Sequence, residues 1–304
     1  MKRQQLVTVL INLEELDSET EVKLSKLAEY LETHYYNFET LIVSNGLREI
    51  QNCKLDIHIK LLANIRVLRL VSKVNFDTAI AAGLENSIGD YVVLFDLHHD
   101  PIDVIKPMVD INADKGGFVV GVQQHSHGLL KITATTLLKD YPKNATTLRC
   151  LSRHTINTLL KAGRYHHNIL YRLHKIGVNF EKMVYQKAGD YRLEQSLKFY
   201  IRNAVYGNPS VLRKTYLYSI AVSFFFILSS LILLLTGADE STFDKASLLM
   251  QSFLYFSLIA SFGFLVELLL KLVDVLSDNE RYIIAEEIIS PIFIEDERFN
   301  IIND

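Results

Sequence analysis

The chain's 304 residues are enough for about two domains, and 49% hydrophobic with 22% charged residues excludes a disordered or collagen-like chain. A net charge of −3 and a pI near 6.4 provide no basic field, so no nucleic-acid partner is expected. Two cysteines, Cys53 and Cys150, form no disulfide framework, and no Cys/His spacing reads as a zinc site.

Leu6–Leu13 is an apolar, β-rich run. It is short, carries Asn12 and leads into Glu14-Glu15, so it reads as a buried strand and not as a secretory leader. Glu19–His34 has helical periodicity. Phe38–Ser44 reads as a second strand stopped by Asn45-Gly46, and Ile65–Leu70 as a third. Asp77–Ser87 is Ala-rich and helical, Tyr91–Asp96 is a fourth strand ending on an acid, Asp103–Lys115 is helical and Phe118–Gln123 is a fifth strand. Alternating strands and helices predict an α/β, Rossmann-like domain with a parallel sheet covered on both faces. Ligands of such sheets bind at the carboxyl ends of the strands, which directs attention to Ser44-Asn45-Gly46 and to Asp96–Asp100.

From Lys139 to Pro209 the chain is mixed and basic, with Arg149, Arg153, His154, Lys161, Arg172 and His174 close together. This is either a solvated helix face or a surface turned to anionic lipid or phosphate. Leu193, Leu197, Tyr200, Ile201 and Val205 recur at helical spacing, as in a helix lying in a membrane interface or packed on the first domain. Mean hydropathy is +0.15, and the apolarity is local. Thr215–Ala238 and Ala246–Val266 carry no charge, and each has the roughly 20 apolar residues that a spanning helix needs. Arg213-Lys214 before the first run and Lys271 after the second predict a hairpin with both termini cytoplasmic and the acidic Asp239–Lys245 loop outside. The expected domains are 1–185, juxtamembrane helices over 186–214, two transmembrane helices within 215–271 (about 215–237 and 247–268) and a tail over 272–304.

This order of parts resembles the membrane-anchored branch of glycosyltransferase family 2, the polyprenyl-phosphate glycosyltransferases related to dolichol-phosphate mannose synthase. The resemblance spans nearly the whole chain and is best over Ile65–Ile105. There Ala82-Gly83-Leu84, Gly89-Asp90, the strand, Asp96 and Asp100-Pro101 follow the family's "AGL", "GD", strand, Asp-x-Asp and "DPPE". Ala145–Leu159 is similar to the family's "AGDFRLMDRRVVDAL", with Arg149 and Arg153 coinciding, and Glu280–Ile284 is similar to its "RPxYIV" tail.

The resemblance implies a GT-A-like fold at the inner (plasma) membrane and transfer of a sugar from a nucleotide-sugar donor to a polyprenyl phosphate for cell-surface polysaccharide. It also implies a divalent cofactor, Mn²⁺ or Mg²⁺, a lipid bilayer partner and a homo-oligomer, a tetramer in the family, whose tail crosses to a neighbour; the tail has a second reading as a segment packed on its own α/β domain. Carried over by motif position, the donor site comprises Asn12, Glu14, Ser44, Asn45, Gly46, Lys73 and Asp96. The metal set is Asp96, His98 and Asp100. Asp96 belongs also to the catalytic set with Arg149 and Arg153, the arginines being placed to hold the lipid phosphate. Asp100-Pro101 has a second reading as a helix start.

The motifs also depart from the family. "VDDGS" becomes Val43–Leu47, so neutral Ser44 and Asn45 stand where paired aspartates hold the nucleotide, and the Asp of "GDFR" falls on Thr147. Neutral hydrogen bonds are roughly half as strong as charge-assisted ones. The alternative function is therefore a catalytically silent homologue serving as a scaffold or regulatory subunit.

Overall fold

The computed structural model describes residues 5–123, 142, 145–162, 169–186 and 282–291, with scattered positions between 217 and 272. Two compact units divide the chain: Met1–Asn203 with Arg281–Asp304, and Ala204–Glu280.

The first unit is built on an eight-stranded sheet of order β7-β5-β6-β4-β1-β2-β3-β8. β1 (Val7–Leu13), β2 (Phe38–Ser44), β3 (Ile65–Leu70) and β4 (Tyr91–Leu94) run parallel. β5 (Phe118–Gln123) and β7 (Phe180–Tyr185) are parallel to each other, while β6 (Ala145–Ser152) lies antiparallel between β4 and β5. β8 (Ile284–Ile289) adds antiparallel to β3. The sheet is thus mixed, where the sequence pattern predicts a parallel one.

Helices cover both faces. α1 (Ser18–His34), α2 (Glu49–Ile59) and α4 (Ile105–Lys115) lie on one side, sharing a core with Val7, Val9, Ile11, Ile42 and Val93. α3 (Phe76–Asn86), α5 (Arg153–Lys161) and the short α6 (Ile169–Arg172) lie on the other with Leu10, Leu41, Val43 and Val92. Adjacent strand residues alternate between the two cores, so β1 and β2 are buried almost throughout. Each fully buried Leu, Ile or Val contributes about 1.5–3 kcal/mol.

Local chemistry sets the helix starts. Asp17 Oδ1 accepts from Thr20 N at 2.7 Å, Asn75 Oδ1 from Thr78 N at 2.9 Å and Ser152 Oγ from Thr155 N at 3.3 Å. Gly83 brings α3 onto β1: a Cβ there would lie 2.2 Å from Leu10 Cδ1. α2 went unpredicted because Ile50 and Ile57 are exposed while Leu55 and Ile59 are buried, which erases the amphipathic stripe.

β8 follows the second reading of the tail, which pairs within its own chain. Arg66 Nη1 meets Glu287 at 3.2 Å, Arg69 Nη1 meets Glu286 at 2.5 Å, and Tyr282 donates to Glu85 Oε2 at 2.6 Å. Behind this edge Arg66 Nη2 reaches the buried Glu39 at 2.8 Å. Burial pushes the Glu39 carboxyl up, against the pull of Arg66 and Thr8.

In the second unit every described position between 217 and 272 is helical and none is buried; Phe225 is 66% and Phe262 68% exposed. Among the described residues no helix is long and apolar enough to cross a membrane. Much of both uncharged runs, and the segment holding Leu193–Val205, lie outside the described residues.

Candidate functional site

In the parallel part of the sheet, β1 lies between β2 and β4, so the chain order reverses beside β1. The crevice outside the carboxyl ends of β1 and β4 is where open α/β sheets bind ligands. Asn12, Glu14 and Glu15 stand at the end of β1, Gly46 follows β2, Lys73 follows β3, and Asp96 follows β4. The structure therefore gathers most of the sequence-predicted donor residues on one crest.

Their bonding divides them. Glu14 Oε2 pairs with Lys73 Nζ at 2.6 Å, and Asn12 Nδ2 donates to Glu14 Oε1 at 3.2 Å. This contact and the charge of Glu14 raise the pKa of the exposed Lys73 ammonium. Asn12 Oδ1 is buried and makes no hydrogen bond within the protein. Gly46 has φ +82°, and a Cβ there would lie 2.8 Å from Lys73 Cβ, so Lys73 crosses directly over this turn.

Ser44 and Asn45 are instead buried and engaged. Ser44 Oγ donates to Asn52 Oδ1 of α2 at 2.9 Å. Asn45 accepts from Val74 N at 2.8 Å and donates to Val74 O at 3.0 Å, imitating a strand partner that ties β2 to the loop after β3. Their side chains brace the crest, where the sequence reading has them on the nucleotide.

The Asp96–Asp100 turn is folded differently from its motif. The imidazole of His99, not that of His98, lies against Asp96, with Nδ1 3.0 Å from Oδ2 and 3.1 Å from Oδ1, while His98 N donates to Oδ1 at 3.2 Å. His98 is exposed, its carbonyl accepting from Lys23 Nζ at 3.0 Å. Asp100 is buried, accepts from Asp96 N through Oδ2 at 3.0 Å and from the Tyr185 hydroxyl through Oδ1 at 2.6 Å. Pro101 precedes the 3₁₀ turn Ile102–Val104 without a side-chain cap, so Asp100 does not start that helix.

Among the described residues no three His, Cys, Asp or Glu side chains are placed to hold one ion. The Asp96–His98–Asp100 set is thus not assembled, because Asp100 is turned into the protein. Asp96 and His99 offer one carboxylate and one imidazole. That donor pair fits Mn²⁺ better than Mg²⁺, provided phosphate oxygens and water complete the shell.

Both arginines lie away from the crest's surface. Arg149 is fully buried in β6, and its Nη1 donates to Thr146 O at 2.5 Å and Leu148 O at 2.8 Å. Arg153 sits at the opposite, amino edge of the sheet: Ser152 pairs with Tyr91, the first residue of β4. Its Nε donates to Gly89 O and its Nη2 to Ser87 O, each at 3.0 Å. Arg149 spends its guanidinium on carbonyls of its own strand and Arg153 on carbonyls of the loop before β4, so neither arginine presents its charge to a lipid phosphate. The basic segment's expected solvated or phosphate-facing surface is accordingly not where Arg149, Arg153 or the partly buried His174 lie.

His99 and Tyr185 were missed by sequence reasoning. His99 is adjacent to the motif, whose spacing points to His98 instead. Tyr185 is 85 residues from Asp100, and no local pattern signals it.

No protein-family model matches the chain, and no curated protein does. Among solved structures the chain is similar to a mannosyltransferase from Pyrobaculum calidifontis in complex with GDP-Man and Mn²⁺, with a TM-score of 0.47 and 15% identity over 86% of this chain and 88% of that one. It is also similar to glucosyl-3-phosphoglycerate synthase from Mycobacterium tuberculosis in complex with Mn²⁺, UDP and phosphoglyceric acid (TM-score 0.49, 13% identity, 66% of this chain and 76% of that one). Mannosyl-3-phosphoglycerate synthase from Rubrobacter xylanophilus has a TM-score of 0.48 and 10% identity over 66% of this chain and 72% of that one.

Proposed function

We propose that this chain is a GT-A-type glycosyltransferase that moves a sugar from a nucleotide-sugar to a polyprenyl phosphate at a membrane surface. The observation that carries the reading is Asp96. Its carboxylate stands just past β4, at the point where the strand order reverses, with an imidazole beside it and the Asn12–Glu14–Lys73 cluster across the crevice. The motif resemblance over Ile65–Ile105 supports the same chemistry.

In this reading the phosphate oxygen of the lipid attacks the anomeric carbon, the bond from that carbon to the diphosphate breaks, and the nucleoside diphosphate leaves with the electron pair. The attacking phosphate is already ionised, so positioning matters more than a strong base. Asn12 Oδ1 is available to accept from the donor, and Lys73, released from Glu14, neutralises a phosphate. Asp96 and His99 would hold a divalent ion, which supplies charge neutralisation of the diphosphate.

The bilayer is supported by the second unit, whose described apolar residues are helical and mostly exposed, none being buried. A plasma-membrane location with cytoplasmic termini belongs to the proposal. It requires a cysteine at Ser241 to react with an impermeant maleimide in intact cells and one at Ser277 to stay protected; the reverse pattern overturns the orientation. Association of copies also belongs to the proposal and is read by light scattering in detergent.

The deciding experiment is turnover of polyprenyl phosphate with a panel of UDP- and GDP-sugars, with and without Mn²⁺, by the full chain and Asp96→Asn. Removing that charge is expected to cost about 2–4 kcal/mol of transition-state stabilisation, roughly 30- to 1000-fold in rate. The silent-homologue reading is favoured by one observation, the internal bonding of Ser44 and Asn45. It predicts no turnover, and a gene-deletion phenotype that Asp96→Asn does not reproduce.

A further inference from the structure

The turn that bears Asp96 hangs on a residue from the far side of the sheet. Asp100 joins the two halves of that turn to each other: its N donates to Asp96 O at 2.8 Å, and its Oδ2 accepts from Asp96 N at 3.0 Å. Its other oxygen, Oδ1, lies 2.6 Å from the Tyr185 hydroxyl. Tyr185 Oη is also 2.9 Å from Thr146 Oγ1 of β6, which donates to Gly121 O of β5 at 3.1 Å. A phenol has one proton, and the carboxylate is its stronger acceptor. The phenol proton therefore goes to Asp100 and ties β7 to the turn after β4, with Thr146 Oγ1 of β6 in buried contact with the hydroxyl.

The surrounding chain is shaped for this reach. Tyr185 is the last residue of β7, paired in register with Gln123, and is 7% exposed. Its ring lies across Gly121, where a Cβ would stand 2.9 Å from Tyr185 Cε1, so a side chain at 121 would displace the ring. Burial first, and the charge of Asp100 second, push the phenol's pKa up, which keeps the proton available to donate.

We propose that Tyr185 is the positioning residue of this site: through Asp100 it holds the Asp96 carboxylate at the geometry needed to bind a divalent ion with a nucleoside diphosphate. This role rests on the transferase reading. Asp100, carried over by motif as a metal ligand, then acts as the arm between Tyr185 and Asp96. Tyr185 touches no reacting atom. Asp100 grips the backbone of Asp96 and not its carboxylate, so the hold on the ligand is exerted through the turn, and loss of outer-shell support of this kind typically costs about 10- to 100-fold in metal affinity or activity.

The test is a titration of the full chain in detergent with Mn²⁺ and GDP or UDP, using wild type, Tyr185→Phe, Asp100→Asn and the double variant. Hydrogen exchange across 96–100 and the lipid-phosphate KM are followed in parallel. Tyr185→Phe is expected to raise the Mn²⁺ half-saturation by about 10- to 100-fold, leave the lipid KM unchanged and speed exchange of the Asp96 amide. Asp100→Asn should do the same, and the double variant should add little, since the two act in series. Equal Mn²⁺–nucleotide affinity in wild type and Tyr185→Phe overturns the positioning role and leaves the transferase reading standing. A wild type without affinity for Mn²⁺ and either nucleotide removes that reading and the role together. Should Tyr185→Phe not fold, Asp100→Asn carries the same comparison.

Discussion

His174 makes the pH dependence of the fold's stability calculable. Its ring packs edge-on against Phe118 and Phe180, at centroid distances of 5.2 and 4.7 Å. Burial, then the nearby cations Arg149 and Lys182, push its pKa from 6.5 down to about 3. The folded state therefore holds a neutral imidazole where the unfolded chain takes a proton. With the folded pKa depressed, the contribution to stability is complete above pH 6.5 and is lost as pH falls towards 3. At pH 5 the unfolded histidine is almost fully protonated and the folded one neutral, which costs about 2 kcal/mol relative to neutral pH. This figure barely changes if the folded pKa is one unit higher. The assay is urea unfolding of wild type and His174→Gln in detergent, near pH 7.5 and at pH 5. Other titrating groups are common to both proteins and cancel in the double difference. Wild type is expected to lose about 2 kcal/mol more than the variant on acidification. Equal losses would refute the reasoning and show that His174 titrates normally.

Arg153→Ala removes hydrogen bonds to Gly89 O and Ser87 O and should cost about 2–3 kcal/mol of stability, with kcat per folded molecule unchanged. A fall in kcat at wild-type stability would return Arg153 to the chemistry. Gly83→Ala places a methyl 2.2 Å from Leu10 Cδ1, and overpacking of this kind costs about 1–3 kcal/mol, more than the helix gains from Ala. A denaturation midpoint at or above wild type would refute that close approach. Truncation before Tyr282 strips β8 from β3 and removes Glu286 and Glu287 from Arg69 and Arg66. The expected result is a lower thermal midpoint and aggregation through the bared edge, and an unchanged midpoint would show that β8 contributes nothing.

The alternating α/β pattern, the edges of β2, β3 and β5, and the importance of the turn after β4 were legible in the sequence, because each is written in adjacent residues. Apolar runs covered on both faces mark parallel strands, and Asp, Asn and Ser beside helix starts mark caps. Strand pairing is not local. β6 and β8 enter the sheet antiparallel, and β8 reaches β3 from more than 200 residues away, joined by Ser290 Oγ accepting from Ile65 N. No periodicity encodes such a contact.

The same division runs through the site. Motif position in the family resemblance brought Asn12, Glu14, Lys73 and Asp96 forward, and the tertiary structure places them on one crest. What each side chain does there was decided by its neighbours. Asn45 spends its amide on Val74, Ser44 its hydroxyl on Asn52, and Arg149 and Arg153 their guanidinium groups on backbone carbonyls. Asp100 turns inward to Tyr185, and His99 takes the place beside Asp96 expected for His98. The sequence by itself determined which polar groups the crest has available. Only the tertiary structure decided which are consumed in holding the sheet together, because a buried polar group must be satisfied by whatever the fold brings within reach.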